Sequence, residues 1–141
     1  MTARRQARER ALQFLFGLDF TQYECDEETL DLFWLMRPTR PVAKKYAERL
    51  ITGICETRNA LDDEIRGALT NWTPERVGRI EWNLIRIALY EMRHMHEVPP
   101  AVAINEAIEM AKDYGHDEAP RFINGILDRL RKPETAEPDN D

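Results

Sequence analysis

Residues 77–92, VGRIEWNLIRIALYEM, are apolar at positions three and four apart, which is the period of an α-helix. Apolar side chains cover most sides of this segment, so we expect a central helix with neighbours all around it. Thr73, Pro74 and Glu75 supply a hydroxyl cap, a proline suited to the first position and an acid in the first turn. These signals predict that the helix begins there and runs to about Met95.

The rest of the chain also has helical spacing, and no stretch of four or more residues alternates as a strand does. The further predicted helices are about Ala3 to Phe20, Glu27 to Met36, Pro41 to a break near Arg58 and Asn59, a continuation to Asn71, Val98 to Gly115, and a last helix capped by Asp117. We therefore predict an all-α fold of about seven helices. Two small bundles, about 1–71 and 73–132, would pack as one compact domain, residues 1–132.

Length and composition agree with a single domain. The chain has 141 residues, of which 43% are hydrophobic and 33% charged, enough for one core without a staple. Cys25 and Cys55 lack zinc-ligand spacing, so neither a disulfide framework nor a metal site is predicted, and a reducing cytoplasm fits best. The apolar stretch from Ala11 to Leu18 is far shorter than the roughly 20 residues that span a bilayer, so no membrane anchor is expected.

The distribution of charge is uneven along the chain. The formal net charge is −6, which argues against a protein that coats nucleic acid by bulk electrostatics. Residues 1–18, however, carry four arginines against Glu9, whereas residues 133–141, PETAEPDND, carry four acids and two prolines. We predict a basic first helix and a disordered acidic tail.

Motifs for catalysis and for nucleotide binding are missing from the sequence. His94, His96 and His116 have no cysteine or serine partner in a recognisable nucleophile motif, and His94 and His96 lie about 200° apart around a helix, too far to share a metal. Neither GxGxxG nor GxxxxGK[ST] occurs. The sequence therefore predicts neither an enzyme nor a cofactor.

Arginines at the start of the first helix are the clearest chemical feature. Arg4 and Arg8 lie one turn apart with Arg5 on the neighbouring row, so a helix would present their forked donors to phosphate oxygens. The alternative is a solvated helix end in which Arg5 pairs with Glu9. In the last helix Phe122 follows Arg121 and could stack an unpaired base; alternatively, Phe122 packs with Ile126 in the core.

Two further sets of polar residues carry expectations. Several lie in segments apolar enough to be buried, and we expect them to pair with each other or with helix ends: Arg86, Glu91, Asn105, Glu106 and Asn124. Others lie at the start of the central helix, where we expect solvent or a protein partner to reach them: Glu75, Arg76, Arg79 and Glu81.

Four stretches together resemble the NusB family of bacterial transcription antitermination factors. They are ARRQARERALQFLF (3–16), RIALYEM (86–92), VPPAVAINEAIEMAKDYG (98–115) and RFINGILDRL (121–130). The resemblance is dense over 3–20 and 77–130 and thin over 24–70. It implies an all-helical fold of two bundles and a non-enzymatic function in rRNA transcription. Members bind the boxA element of nascent ribosomal RNA together with NusE, a small-subunit ribosomal protein, and join RNA polymerase and other Nus factors.

Carried over residue by residue, the resemblance assigns two surfaces. RNA would be contacted by Arg4, Arg5, Arg8, Phe16, Arg121 and Phe122, and NusE by Glu81, with Glu75 and Arg76 nearby. Phe16 stands where relatives commonly have tyrosine, and Gln6 replaces an arginine of some members.

Two other functions stay open at this point. One is the RNA-docking module of an rRNA cytosine methyltransferase, although the chain has neither a Gly-rich cofactor loop nor a catalytic cysteine motif. The other is a helical adaptor or self-associating protein that binds no RNA. The RNA bases and the oligomeric state do not follow from the sequence.

Overall fold

A computed structural model describes residues 1–21, 23–70 and 73–132, and within them all regular structure is helical. The helices are α1 (Ala3–Asp19), α2 (Glu27–Met36), α3 (Pro41–Ala68), α4 (Arg79–His94), α5 (Pro100–Tyr114) and α6 (Ala119–Arg131), with a 3₁₀ turn at Pro74–Arg76. The predicted all-α class is confirmed. The predicted tail, 133–141, lies outside the described residues. In the described part of the chain, no helix is both long and apolar enough to cross a bilayer.

Helix α4 is central, as its apolar pattern predicts. It packs against α1, α3, α5 and α6, and it buries Leu84, Ile85 and Leu89 almost completely. Helices α1 and α3 pack on each other, α5 and α6 pack on each other, and both pairs contact α4. The two helix pairs therefore share one core that runs through α4.

Helix α4 begins later than the sequence predicts. Pro74–Arg76 form only a 3₁₀ turn, and Val77 is then extended, with φ −86° and ψ 127°, and buried. Gly78 is the N-cap of α4, so the predicted start at Thr73 is wrong. The physical reason is that burying Val77 requires the chain to leave the helical path.

Of two other predicted boundaries, the break in the third helix is confirmed and the cap of the last helix is wrong. Thr57, next to the predicted break at Arg58 and Asn59, has non-helical φ and ψ of −113° and 16° and separates two helical segments of α3; the second segment buries Leu61 and Ile65. Asp117 does not cap α6, whose N-cap position is Glu118 without a side-chain hydrogen bond. The predicted end at Asn71 lies outside the described residues.

The two cysteines lie together in space. Cys25, just before α2, and Cys55 of α3 form a disulfide, and their Cα atoms are 6.5 Å apart. The expectation that they form no disulfide is wrong, because the segment ahead of α2 folds back onto α3, and the cysteines no longer argue for a reducing compartment. Since α2 itself buries only Trp34, this bond tethers a helix that is otherwise weakly attached to the body.

Candidate nucleic-acid interface

The first turn of α1 presents two arginines near the surface. Thr2 caps the helix by accepting a 3.0 Å hydrogen bond from the Arg5 backbone N–H, which fixes the start of the helix. Arg4 is exposed, and its guanidinium carbon lies 5.0 Å from the centroid of the Tyr46 ring. Arg5 is half-buried and donates from Nε and Nη2 to the two carboxylate oxygens of Glu106, at 2.6 and 3.0 Å. The alternative interpretation, in which Arg5 pairs with Glu9, is therefore wrong.

Arg8 lies inside the protein. Only 3% of the residue is exposed; its Nε donates to Glu91 Oε2 at 2.8 Å, and its Nη1 donates to Glu106 Oε1 at 3.4 Å. The expectation that Arg8 stands beside Arg4 on an open phosphate clamp is wrong. Its burial follows from the turn of α1 that also buries Ala7 and Ala11, which brings Arg8 onto α4.

A buried cluster holds Arg8 in place. Glu91 is 1% exposed and accepts hydrogen bonds from Arg8 and from the Tyr46 hydroxyl, the latter at 2.6 Å. Burial raises the pKa of Glu91, while the positive charge of Arg8 opposes that rise. Burial and Glu91 also raise the pKa of Tyr46. In contrast, the hydrogen bond from Arg5 lowers the pKa of Glu106, which keeps that carboxylate charged.

The polar residues of the second half do not pair as predicted. Glu91 and Glu106 bind the arginines of α1, whereas Arg86 binds Asp62 of α3 through two hydrogen bonds of 2.8 Å. Asn105 and Asn124 are exposed, so the expectation that they are buried is wrong. Each of them is one residue along the helix from a buried apolar residue and therefore faces a different direction. A coarse reading of the apolar pattern does not separate such neighbouring positions.

Phe16 is exposed on the same side of α1 as Arg5. The two residues are eleven positions apart, which is about three helical turns and about 16 Å. The Phe16 ring centroid lies 4.8 Å from that of the exposed Phe20. An aromatic pair is therefore open to solvent at the far end of the helix that starts with Arg4 and Arg5.

Arg121 and Phe122 lie on a groove between α6 and the end of α3. Arg121 is exposed, while Phe122 is partly buried and packs against the core. Ile126 and Arg129 line the same groove, so the alternative of packing near Ile126 holds for part of the Phe122 ring. Phe122 also lines a small cleft on the other side, next to Gly78 and His116.

The residues assigned to a protein partner are not equally accessible. Glu75 and Arg76 are exposed on the 3₁₀ turn, and Arg79 is partly exposed and paired with Asp19 at 3.1 Å. Glu81 is only 4% exposed, so the expectation that a partner reaches it is wrong. Its carboxylate sits in the first turn of α4 against Gly78, with Oε2 3.7 Å from His116 Nε2. A carboxylate there stabilises the positive end of the helix dipole.

Sequence reasoning missed two exposed residues near these sites. Arg40 donates from Nε to Gln6 Oε1 and from Nη2 to the Met1 carbonyl, both at 3.0 Å, and adds a cation at the start of α1. Tyr114 is exposed at the end of α5, and partial burial and the negative charge of Glu9 raise its pKa. The sequence does offer a signal for Tyr114, because it is an aromatic residue directly before Gly115, where the helix is predicted to end. Nothing in the sequence places Arg40 beside Gln6.

Relatives of known family match this chain over most of its length. The model of the NusB family matches residues 5–132. Transcription antitermination protein NusB of Sorangium cellulosum is 39% identical over 130 residues, 92% of each chain. The protein of that name from Trichlorobacter lovleyi is 42% identical over 130 residues, 92% of this chain and 91% of its own.

Solved structures agree with these relatives. NusB from T. maritima is 35% identical, with a TM-score of 0.80 over 92% of this chain and 91% of its own. The protein in a crystal structure of antitermination factors NusB and NusE with dsRNA has the same TM-score, 0.80, over 93% of this chain and 97% of its own; at 22% identity it shares the fold. The chain therefore belongs to the NusB family of transcription antitermination proteins.

Proposed function

We propose that this chain is a non-enzymatic antitermination factor that binds boxA RNA of nascent ribosomal transcripts together with NusE, in the cytoplasm and in a complex with RNA polymerase and other Nus factors. The observation that carries the proposal is the pair of exposed or half-exposed arginines, Arg4 and Arg5, on a capped helix start in a protein of net charge −6. A local basic site gives an acidic protein a defined place for a phosphate backbone.

Arg4 and Arg5 have different parts in this proposal. Arg4 lies over the Tyr46 ring and is exposed, so a phosphate can reach its guanidinium group. Arg5 binds RNA by exchange, because a phosphate must replace the Glu106 carboxylate on its fork. Arg8 acts as a positioning residue: its bond to Glu91 holds the first turns of α1 against α4.

Aromatic side chains extend the proposed RNA surface beyond the arginines. Phe16 offers an exposed ring, and Phe122 offers the accessible part of its ring beside Arg121. Base stacking on such rings is worth about 1–3 kcal/mol per base and tolerates different sequences. Phosphate contacts position the strand, so the bases would be read by other contacts.

For NusE, we propose a contact with the 3₁₀ turn of Pro74–Arg76. Glu75 and Arg76 are exposed there with opposite charges, a pattern that orients a protein partner. Glu81 supports this turn from inside, packed against Gly78. When RNA and NusE bind at once, the second contact becomes effectively intramolecular and raises affinity.

The test is a titration of boxA RNA in the absence and presence of NusE. We expect weak binding alone and binding tightened by about tenfold or more with NusE. The pair of charge reversals Glu75→Lys and Arg76→Glu should remove the effect of NusE and leave binding of RNA alone unchanged. RNA that binds neither alone nor with NusE would contradict the proposal and favour a protein-binding adaptor or a self-associating form.

A further inference from the structure

Helix α2 carries an exposed apolar stripe that the proposed RNA and NusE surfaces do not use. Leu32 is 54% exposed, Leu35 77% and Met36 70%, and Tyr23 just before the helix is 66% exposed. The spacing of three and four residues places the three side chains of α2 on one face. Trp34, on the inner face, is the buried side chain of α2. Helix α2 therefore presents apolar residues to solvent on the side away from the core.

Carboxylates line one groove along this stripe, whereas a second groove, which Leu32 and Met36 share with Arg37, has no acid among its described lining residues. A groove with Leu32 and Leu35 on its floor is lined by Tyr23 and by four acids, Glu24, Asp26, Glu28 and Asp31. From residue 24 to residue 36 the chain has five acidic residues and neither lysine nor arginine. Asp26 accepts a hydrogen bond from the Thr29 N–H, which lowers the pKa of Asp26. Within the described ranges, none of these carboxylates forms an ion pair.

We propose that this groove binds a basic amphipathic helix of a partner protein. Leucines of such a helix would cover Leu32 and Leu35, and its lysines or arginines would pair with the acids of the rim. Apolar floor and acidic rim together specify both faces of that occupant. The surface has the opposite sign to the arginine site of α1, so RNA and this partner would not compete for it.

Charge argues against the other occupants. A nucleic acid or an anionic membrane would bring negative charge against the acids of the rim. A second copy, related by a two-fold axis, would place the same acidic rim opposite itself. Helix α1 of this chain is not the occupant, because its apolar face is already packed against α3 and α4.

The test uses a synthetic helical peptide of about 18 residues, about five turns, with leucines on one face and lysines on the other. We expect it to bind the full chain with an affinity that falls as salt rises. Leu35→Ser should weaken binding about tenfold or more, since a largely exposed leucine would become covered. Asp31→Lys should also weaken it, whereas Val102→Ser, at an exposed apolar residue of α5, should not.

Two controls make the outcome decisive. A peptide of the same composition with its leucines dispersed around the helix should bind at least about tenfold more weakly than the amphipathic peptide. Equal binding of both peptides, or binding unaffected by Leu35→Ser and Asp31→Lys, would overturn the proposal. Sedimentation that shows self-association, lost in Leu35→Ser, would assign the groove to a second copy instead and would also overturn it. RNA titrations of Leu35→Ser should be unchanged, so this test is separate from that of RNA binding.

Discussion

Replacing Arg8 by alanine should destabilise the protein strongly, although Arg8 belongs to the arginine group expected from sequence to bind RNA. The residue is 3% exposed and its partner Glu91 is 1% exposed, with 2.8 Å between Nε and Oε2. Removing one partner of a buried ion pair leaves an uncompensated buried charge, which costs about 3–5 kcal/mol. Here the Tyr46 hydroxyl would be the remaining hydrogen-bond donor to Glu91. We therefore expect Arg8→Ala to lower the free energy of unfolding by about 3 kcal/mol or more.

Urea unfolding followed by far-UV circular dichroism measures this loss, and Arg5→Ala is the matched control. The side chains of Arg5 and Glu106 are 24% and 20% exposed, so water replaces much of what the pair loses and the expected change is about 1 kcal/mol or less. An Arg8→Ala protein that loses less than about 1 kcal/mol, or no more than Arg5→Ala, would refute the buried-pair reasoning.

The deficit of Arg8→Ala should depend on pH. Burial already raises the folded-state pKa of Glu91, and loss of Arg8 removes the charge that opposes this rise. A carboxyl whose folded pKa lies above its unfolded pKa gives stability that is present at low pH and lost as pH rises through the folded pKa. Arg8→Ala should therefore be closer to the wild type at about pH 5 than at about pH 8. An equal deficit at both pH values would contradict this assignment to Glu91.

Three further predictions follow from other contacts. Reducing the disulfide should lower the melting temperature, because it closes a loop with a sequence separation of 30, worth about 4 kcal/mol by chain entropy; a cysteine-to-serine variant should no longer respond to reductant. Gly53→Ala should cost about 1–3 kcal/mol, measured by urea unfolding, because the new Cβ would overlap the Tyr90 hydroxyl and ring; Tyr90→Ala should relieve that clash. Phe122→Ala should weaken RNA binding by about 1–3 kcal/mol in a titration and, because Phe122 is only partly buried, should lower the melting temperature less than Ile123→Ala, which removes a fully buried side chain; an equal drop in melting temperature with unchanged RNA affinity would contradict a role of Phe122 in RNA binding.

Local features of the sequence predicted much of the fold. Helix α2 has the predicted bounds because Asp26 caps its start by a local hydrogen bond and Pro38 follows its end. The central place of α4 follows from the apolar residues on most of its sides. The start of α4 was missed because the burial of Val77 overrides the strong local signal at Thr73. The burial of Val77 depends on tertiary packing, which the residues around the turn do not reveal.

The candidate site was less predictable because its partners are distant in sequence. Arg8 is 83 residues from Glu91 and 98 residues from Glu106. Its spacing on α1 predicted a phosphate clamp, because nothing near it in the sequence shows that the fold buries it in an ion pair. The cysteines are separated by 30 residues and meet only because the chain folds back on α3. Arg4 and Phe16 are exposed, as the RNA contacts implied by the family resemblance require.

The salt dependence of boxA RNA affinity tests most directly whether the start of α1 binds the phosphate backbone. For a single strand, each neutralised phosphate contributes about −0.7 to the slope of log affinity against log salt, so Arg4 and Arg5 together should account for about −1.4. The double variant Arg4→Ala, Arg5→Ala should flatten the slope by about that amount, while Arg58→Ala, at a cation near the disulfide on α3, should leave it unchanged. A slope that is the same in the double variant and in the wild type would contradict the claim.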